Sequence, residues 1–358
     1  MTSSNPQTEP FSDRLLIWHR QYGRHKLPWQ RDPSPYRVWI SEIMLQQTQV
    51  NTVIPYFERF MSSFPTIESL AAAQEDRILH LWTGLGYYAR ARNLHKAAKC
   101  VQQEYAGHMP NTVEALSALP GIGLSTAGAI VALGFRKRAV ILDGNVKRVL
   151  CRYRCIPGWP DRPNVRKQLW ALADSLTPAD NCAAYTQAIM DLGATLCTRS
   201  KPTCPLCPLQ DDCLAHNSSR SDEFPHRKPT KKLPVKTTYM LIFHNPLAGK
   251  VLLEKRPSQG IWGGLWSFPE TGDISHLNDV LFHQVLNETR AARHWQPIRH
   301  TFSHFHLDIT PVAITVNQDH ISIMENDRLH WYDLNQPPEL GLAAPVKKLL
   351  SSLQGRLL

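Results

Sequence analysis

Four cysteines near the middle of the chain constrain its folding more than any other feature. They form a C-x6-C-x2-C-x5-C array at Cys197, Cys204, Cys207 and Cys213. An array this compact can bring four thiolates to one inorganic site. Zinc also accepts four sulfurs, but more often through two separated C-x2-C pairs, and disulfides are typical of small secreted domains. The spacing therefore favours an iron-sulfur cluster, although four thiolates alone leave the metal open.

The size and charge of the chain indicate a globular protein with a polyanionic partner. Its 358 residues are 42% hydrophobic, which is enough for two domains with their own cores. The net charge of +10 favours a partner such as nucleic acid. The longest apolar run, Ala127 to Phe135, is about half of what a membrane helix needs. Because Met1 to Pro10 resembles no targeting leader, we expect a cytoplasmic protein.

The pattern of apolar residues changes once along the chain. From Phe11 to about Ala194 apolar residues recur at helical spacing. Residues 218–236 are rich in Ser, Pro and Lys and indicate a linker. Strand patterns follow at Thr237 to Phe243, Lys250 to Lys255 and His304 to Val316. We therefore expect an all-α domain over 1–217, which includes the cysteine segment 197–213, a linker over 218–236 and an α/β domain over 237–358.

The sequence LPGIG at residues 119–123 lies between two helical patterns and predicts a tight hairpin. Gly121 and Gly123 allow a close approach of the backbone. Free N–H groups at the start of the next helix, near Ser125, can bind a phosphate oxygen with help from the helix dipole. An ordinary Pro-Gly connection between helices is the alternative.

Two carboxylates stand where acid-base chemistry is plausible. Asp143 precedes a helical pattern, and an N-cap carboxylate that accepts backbone N–H groups should have a lowered pKa. Glu42 has aromatic and aliphatic neighbours, and burial would raise its pKa and make it a general acid, whereas a solvated helix face is the alternative. A carboxyl group with a raised pKa and another with a lowered pKa suit the cleavage of a glycosidic bond. Sequence alone does not show that the two meet.

Several stretches, in this order along the chain, closely resemble the adenine DNA glycosylases, the MutY family. They are LPWQ (27–30), SEIMLQQTQV (41–50), GLGYYARARNL (84–94), LPGIGLSTAGAI (119–130), LDGNVKRV (142–149), MDLGATLC (190–197) and the cysteine array. The resemblance implies an all-α helix-hairpin-helix glycosylase domain with one 4Fe-4S cluster, followed by an α/β Nudix-like domain. The implied partner is double-stranded DNA with adenine mispaired with 8-oxoguanine or guanine. We expect a monomer that binds no membrane and reaches the nucleoid through DNA.

The resemblance also implies a role for individual residues. Glu42 matches the catalytic acid that protonates adenine, and Asp143, with Asn145 beside it, matches the carboxylate that stabilises the sugar cation. The implied DNA contacts are Gln47 and Tyr87 at the mispair, Gly121, Gly123 and Ser125 in the hairpin, and Phe302, Ser303 and His304 at 8-oxoguanine. The adenine pocket is matched by Trp29 and Gln187.

Two differences from related enzymes limit the activities that we expect of this chain. Endonuclease III enzymes carry a lysine at the position of Ser125, and serine has no amine to form the Schiff base that cleaves the strand. We therefore expect base removal without an efficient lyase step, with a bifunctional glycosylase/lyase and a non-catalytic damage-binding protein as alternatives. Residues 260–269 resemble Nudix folds, but no Arg-Glu-x-x-Glu-Glu segment follows to hold Mg²⁺, so we expect no pyrophosphate hydrolysis.

Overall fold

The computed structural model describes residues 9–229, 232–272, 292–316 and 328–357. The chain divides into two compact units, Met1–Ala72 with Asn93–Pro229, and Ala73–Arg92 with Thr230–Leu358. The helices are α1 (Phe11–Tyr22), α2 (Pro35–Leu45), α3 (Val50–Ser63), α4 (Ile67–Ala71), α5 (Glu75–Trp82), α6 (Ala89–Glu104), α7 (Val113–Ser117), α8 (Leu124–Ala129), α9 (Gly144–Tyr153), α10 (Pro163–Leu176), α11 (Cys182–Thr195), α12 (Leu214–Asn217) and α13 (Ala344–Leu357). Within the described ranges, no helix combines the length and apolar character that a membrane span requires.

The first unit is helical, as its apolar spacing predicts. One of its hydrophobic cores lies between α1, α9, α10 and α11, where Leu15, Leu150 and Leu192 are completely buried. The edge of the Phe11 ring packs on Tyr153, with 4.8 Å between the ring centroids. Phe224, from the first half of the predicted linker, also packs into this core. Helices α9 and α11, which carry Asn145 and Gln187, thus lie side by side in this core.

The start of α2 follows from its sequence. Pro35 occupies the first turn, where its missing N–H is not needed, and the Ser34 hydroxyl accepts the N–H of Arg37 at 3.3 Å. Buried side chains from Val38 to Met44 cover most of the surface of α2. Glu42 therefore stands on a helix that is nearly enclosed by protein.

The second unit contains a mixed β-sheet. Its strands are β1 (Val235–Asn245), β2 (Lys250–Lys255), β3 (Trp266–Ser267), β4 (Glu270–Thr271), β5 (Arg293–His294), β6 (Ile298–Thr301), β7 (His306–Thr315) and β8 (Leu329–Asp333). The sheet order is β3-β2-β1-β7-β5, with β4 paired to β1, β6 to β7 and β8 to β2. Strands β1 and β7 are parallel, in register from Val235 with His306 to His244 with Thr315, and the other pairs are antiparallel. The three predicted strands are confirmed as β1, β2 and β7.

Helix α5 and the following loop pack within this second unit. The Lys255 ammonium lies 2.9 Å from the Asp76 carboxylate of α5. The Tyr88 hydroxyl donates a hydrogen bond of 3.0 Å to the Leu342 carbonyl. The loop that carries Tyr87 is therefore anchored to the α/β unit, although its sequence lies among the helices of the first unit.

Candidate active site and DNA-contact residues

A cavity of about 660 Å³ opens into the first unit beside α2 and α11 and at the start of α9. Five of the residues that the sequence indicated line it: Trp29, Glu42, Asp143, Asn145 and Gln187. These residues come from distant parts of the chain, and the packing of the helices brings them together around one cavity. The cavity is of the size that holds a small organic group.

Glu42 lies deep in this cavity. Protein atoms surround its carboxyl group, which nevertheless keeps access to the cavity. Burial, together with the negative charge of Asp143, raises the pKa of Glu42 to about 8. The predicted direction of the shift is therefore confirmed, and the carboxyl is mostly protonated at neutral pH.

Asp143 is the N-cap of α9, as predicted. Its Oδ1 accepts the Val146 N–H at 2.7 Å, and the Asn145 side-chain amide donates to its Oδ2 at 3.2 Å. The prediction of a lowered pKa is wrong. Burial raises the pKa of Asp143, and the hydrogen bonds from Val146 and Asn145 offset only part of that effect. Those donors still favour the ionised form of Asp143, whose charge in turn keeps the proton on Glu42.

Arg148 supports this carboxylate from one turn further along α9, a role that sequence reasoning missed. Its Nη2 donates to the Asn145 Oδ1 at 2.8 Å and to the Gly193 carbonyl at 2.6 Å. A side chain at Gly193 would not fit, because a Cβ there would lie 2.6 Å from the Cβ of Asn145. Arg148 Nε also donates to the Cys197 carbonyl at 2.7 Å. One arginine thus joins the carboxylate end of the cavity to the start of the cysteine segment.

The four cysteines of the array line one small cavity of about 30 Å³ in the first unit. None of the four forms a disulfide. Burial raises the pKa of Cys207 to about 12, and the other three thiols add to the effect because they lie close to it. Arg152, itself buried, donates to the Cys197 sulfur at 3.3 Å. Within residues 9–229, no group of three or more His, Cys, Asp or Glu side chains meets the geometry of a bound metal ion.

Known proteins with similar sequences cover both units. A family model of HhH-GPD superfamily base excision DNA repair proteins matches residues 40–175, and a NUDIX domain model matches residues 238–352. An adenine DNA glycosylase of Buchnera aphidicola subsp. Baizongia pistaciae is 40% identical over 96% of this chain and 97% of its own length. The human adenine DNA glycosylase is 35% identical over 97% of this chain and 74% of its own length. The chain belongs to the adenine DNA glycosylase family.

Solved structures show the same fold for the helical part. A thermostable thymine-DNA glycosylase superimposes with a TM-score of 0.53 at 28% identity, over 58% of this chain and 95% of that chain. An endonuclease III–DNA complex, at 22% identity and a TM-score of 0.50, shares the fold. As a member of the adenine DNA glycosylase family, the chain is a DNA glycosylase of base excision repair, and DNA is its partner.

The hairpin predicted at residues 119–123 forms between α7 and α8. Gly121 has a φ of +78°, and a Cβ there would lie 2.7 Å from the Cβ of Asn93. Gly123 is the N-cap of α8, with open space around it. The Ser125 hydroxyl accepts the N–H of Leu142 at 3.0 Å, so it connects α8 to the segment that leads into Asp143. Ser125, whose side chain the resemblance sets apart from endonuclease III, therefore makes a structural contact.

Two residues expected at the mispair have unusual backbones. Gln47, in the first unit, has a φ of 57° and is exposed. Tyr87, in the second unit, has a φ of 49° and is 49% exposed. Positive φ is uncommon for such residues and marks positions where the surrounding structure imposes a local conformation. Tyr88, by contrast, is buried and bonded, so only the first tyrosine of the pair is free to reach a ligand.

The segment expected to contact 8-oxoguanine is a short turn before β7 in the second unit. Phe302 packs inward in a stacked arrangement on Phe305, with 4.7 Å between the ring centroids. Ser303 and His304 are exposed beside it. The Phe302 ring also lies 5.3 Å from that of Trp262. The polar side chains of Ser303 and His304 are thus exposed to solvent next to packed aromatic rings.

Proposed function

We propose that this glycosylase acts as a monomer and removes adenine paired with 8-oxoguanine or guanine in duplex DNA, without efficient strand cleavage. The observation that carries the proposal is the cavity in which Glu42, with a pKa of about 8, faces Asp143. An acid that holds its proton at neutral pH and a nearby carboxylate are the two groups that glycosidic hydrolysis requires.

The reaction follows from these positions. Adenine leaves the helical stack and enters the cavity, at a cost of about a few kcal/mol that a mispair reduces. Glu42 protonates the base, which turns adenine into a neutral leaving group. Asp143, held by Val146 and Asn145, stabilises the positive charge that develops on the sugar before water attacks. Trp29 and Gln187 line the cavity around the base.

The absence of strand cleavage rests on Ser125. Its hydroxyl contacts the Leu142 N–H and offers no amine to the sugar. The Gly121–Gly123 hairpin would bind a phosphate and so position the DNA without reading its sequence. Gln47 and Tyr87 would enter the duplex at the mispair, since both are exposed on constrained backbone.

The four cysteines suit a 4Fe-4S cluster. Their sulfurs surround one cavity, and the Arg152 guanidinium donates to one of them, as hydrogen-bond donors do around cluster thiolates. Bound there, the cluster would cross-link the segment from Cys197 to Cys213 and so fix it against α9. Arg148 and Arg152 would transmit this restraint to the catalytic cavity. Arg148 donates a hydrogen bond to the Cys197 carbonyl, and Arg152 donates one to the Thr198 carbonyl.

The lesion is read in the second unit. Ser303 and His304 can hydrogen-bond to groups that 8-oxoguanine presents and guanine lacks. The exposure of both side chains supports this role, because the stacked rings of Phe302 and Phe305 hold the turn while the polar groups stay accessible.

One experiment tests the proposed function. A duplex with a single adenine opposite 8-oxoguanine is incubated with the full-length protein, and alkali then reveals abasic sites. We expect breaks only after alkali. Strand breaks before alkali would instead show a glycosylase/lyase. Binding of the duplex without strand breaks, either before or after alkali, would show a damage-binding protein. Glu42→Gln should give no breaks, whereas Glu58→Gln, an exposed glutamate on α3, should behave as wild type.

A further inference from the structure

One fully buried carboxylate lies next to the catalytic cavity without lining it. The side chain of Asp191, on α11, has no solvent exposure. Its Oδ2 accepts the Arg24 backbone N–H at 2.8 Å and lies 3.2 Å from the His19 Nε2. Its Oδ1 accepts the Arg24 Nε at 2.8 Å and the Gln187 Nε2 at 3.0 Å. Every neighbour of this carboxylate in the network is thus a nitrogen.

Asp191 is ionised and can only accept hydrogen bonds. Burial acts to raise the pKa of Asp191, but the adjacent His19 imidazole and the charge of Arg24 outweigh it, so the pKa lies below its ordinary value. An ionised carboxylate has no proton to donate. The Gln187 amide must therefore turn its NH₂ group toward Asp191, because its carbonyl oxygen would meet another acceptor there.

We propose that Asp191 is a positioning residue that fixes the amide of Gln187, so that the carbonyl oxygen faces the cavity and selects a base with an amino group at C6. This inference rests on the proposed function and adds to it the origin of base selectivity. Adenine carries a hydrogen-bond donor at C6, whereas guanine and hypoxanthine carry an oxygen acceptor there. Gln187 lines the cavity. Arg24, another partner of Asp191, lines it too, so one buried anion holds both side chains in place.

The fixed orientation of the Gln187 amide distinguishes this site from one in which the glutamine amide can rotate. A free amide can rotate to accept from adenine or to donate to hypoxanthine, and it discriminates poorly between them. A fixed amide accepts from adenine and opposes hypoxanthine, because two hydrogen-bond acceptors then face each other. Selectivity is thus set by a residue that never contacts the base.

The test compares single-turnover excision of adenine, unsubstituted purine and hypoxanthine, each placed opposite 8-oxoguanine. Asp191→Asn should lower the adenine-to-hypoxanthine rate ratio by about tenfold, since the released amide can turn its NH₂ group toward the oxygen at C6 of hypoxanthine, while purine, which makes no contact through C6, serves as the reference. In a Gln187→Leu background the same substitution should leave that ratio unchanged. Equal proportional losses for adenine and hypoxanthine would show that Asp191 only supports the fold and would overturn the proposal.

Gln187→Leu decides the question if Asp191→Asn does not fold. With a fixed amide, Gln187→Leu slows adenine excision but not hypoxanthine excision, so the ratio of the two falls by about tenfold. With a freely rotating amide both bases lose a hydrogen bond and the ratio stays the same, which would overturn the proposal. Wild-type excision of adenine is measured alongside. Its absence would refute the proposed function itself, whereas its presence with an unchanged ratio would refute only the role of Asp191.

Discussion

Replacing Glu42 by glutamine should abolish excision and also make the helical unit more stable at neutral pH. Burial and the charge of Asp143 raise the pKa of Glu42 from 4.5 to about 8 in the folded protein. Because the folded state holds this proton more tightly than the unfolded state, the associated stabilisation is complete below pH 4.5 and is lost as the pH rises toward about 8. Glutamine does not titrate, so the variant does not lose that stability.

The size of the effect follows from the two pKa values. Between them, the free energy of unfolding of the wild type falls by about 1.4 kcal/mol per pH unit relative to the variant. From about pH 5 to about pH 7 the relative loss is at most about 2.5 kcal/mol. Water that reaches the carboxyl from the cavity lowers this value.

Urea unfolding of both proteins at these two pH values, followed by the helical circular dichroism signal, measures the difference. Other titrating groups cancel in the comparison, and Glu58→Gln on the exposed face of α3 supplies a matched control that should show no pH-dependent gain. A stability difference that is the same at both pH values would refute a buried, protonated Glu42. Excision by Glu42→Gln at the wild-type rate would refute its role as the acid.

The pH dependence of the wild-type enzyme gives a second measure of Glu42: single-turnover excision should fall about tenfold from about pH 7 to about pH 9, and a flat profile would exclude a single acid with this pKa. Cys207→Ser should lower folded yield and the iron and sulfide content, whereas Cys100→Ser, outside the array, should not, and equal contents in both variants would argue against ligation. Combined Ser303→Ala and His304→Ala should slow excision opposite 8-oxoguanine more than opposite guanine, by about tenfold. An equal proportional loss on both mispairs, at one fixed salt concentration, would show that the turn is merely structural.

The sequence by itself determined the features that depend on neighbouring residues. The apolar spacing indicated a helical first part and strands β1, β2 and β7, because side-chain periodicity reports directly on local backbone geometry. The place of Asp143 at the start of α9 also followed from sequence, since an N-cap is defined by the few residues around it. The same holds for the hairpin at Gly121, which is a local turn.

Only the tertiary structure decided the electrostatics of the site. Glu42 and Asp143 are separated by many residues, and their proximity results from the packing of α2 near the start of α9. The predicted pKa shift of Asp143 had the wrong sign, because a sequence shows the hydrogen-bond donors of a cap but not the depth of its burial. Arg148 was missed for the same reason, since an arginine in a sequence gives no sign of whether it faces solvent or a carboxylate.

Long-range packing also decided which residues act together. Asp191 lies in a stretch that the sequence marked only by resemblance, yet the fold surrounds its carboxylate with nitrogen atoms from three places. They belong to His19 in α1, Arg24 in the segment that follows α1, and Gln187 in α11. Tyr87 and Tyr88 are adjacent in sequence, but the second is anchored to the Leu342 carbonyl and the first is exposed. Burial and the identity of distant partners are properties of the whole fold, so local sequence could not assign them.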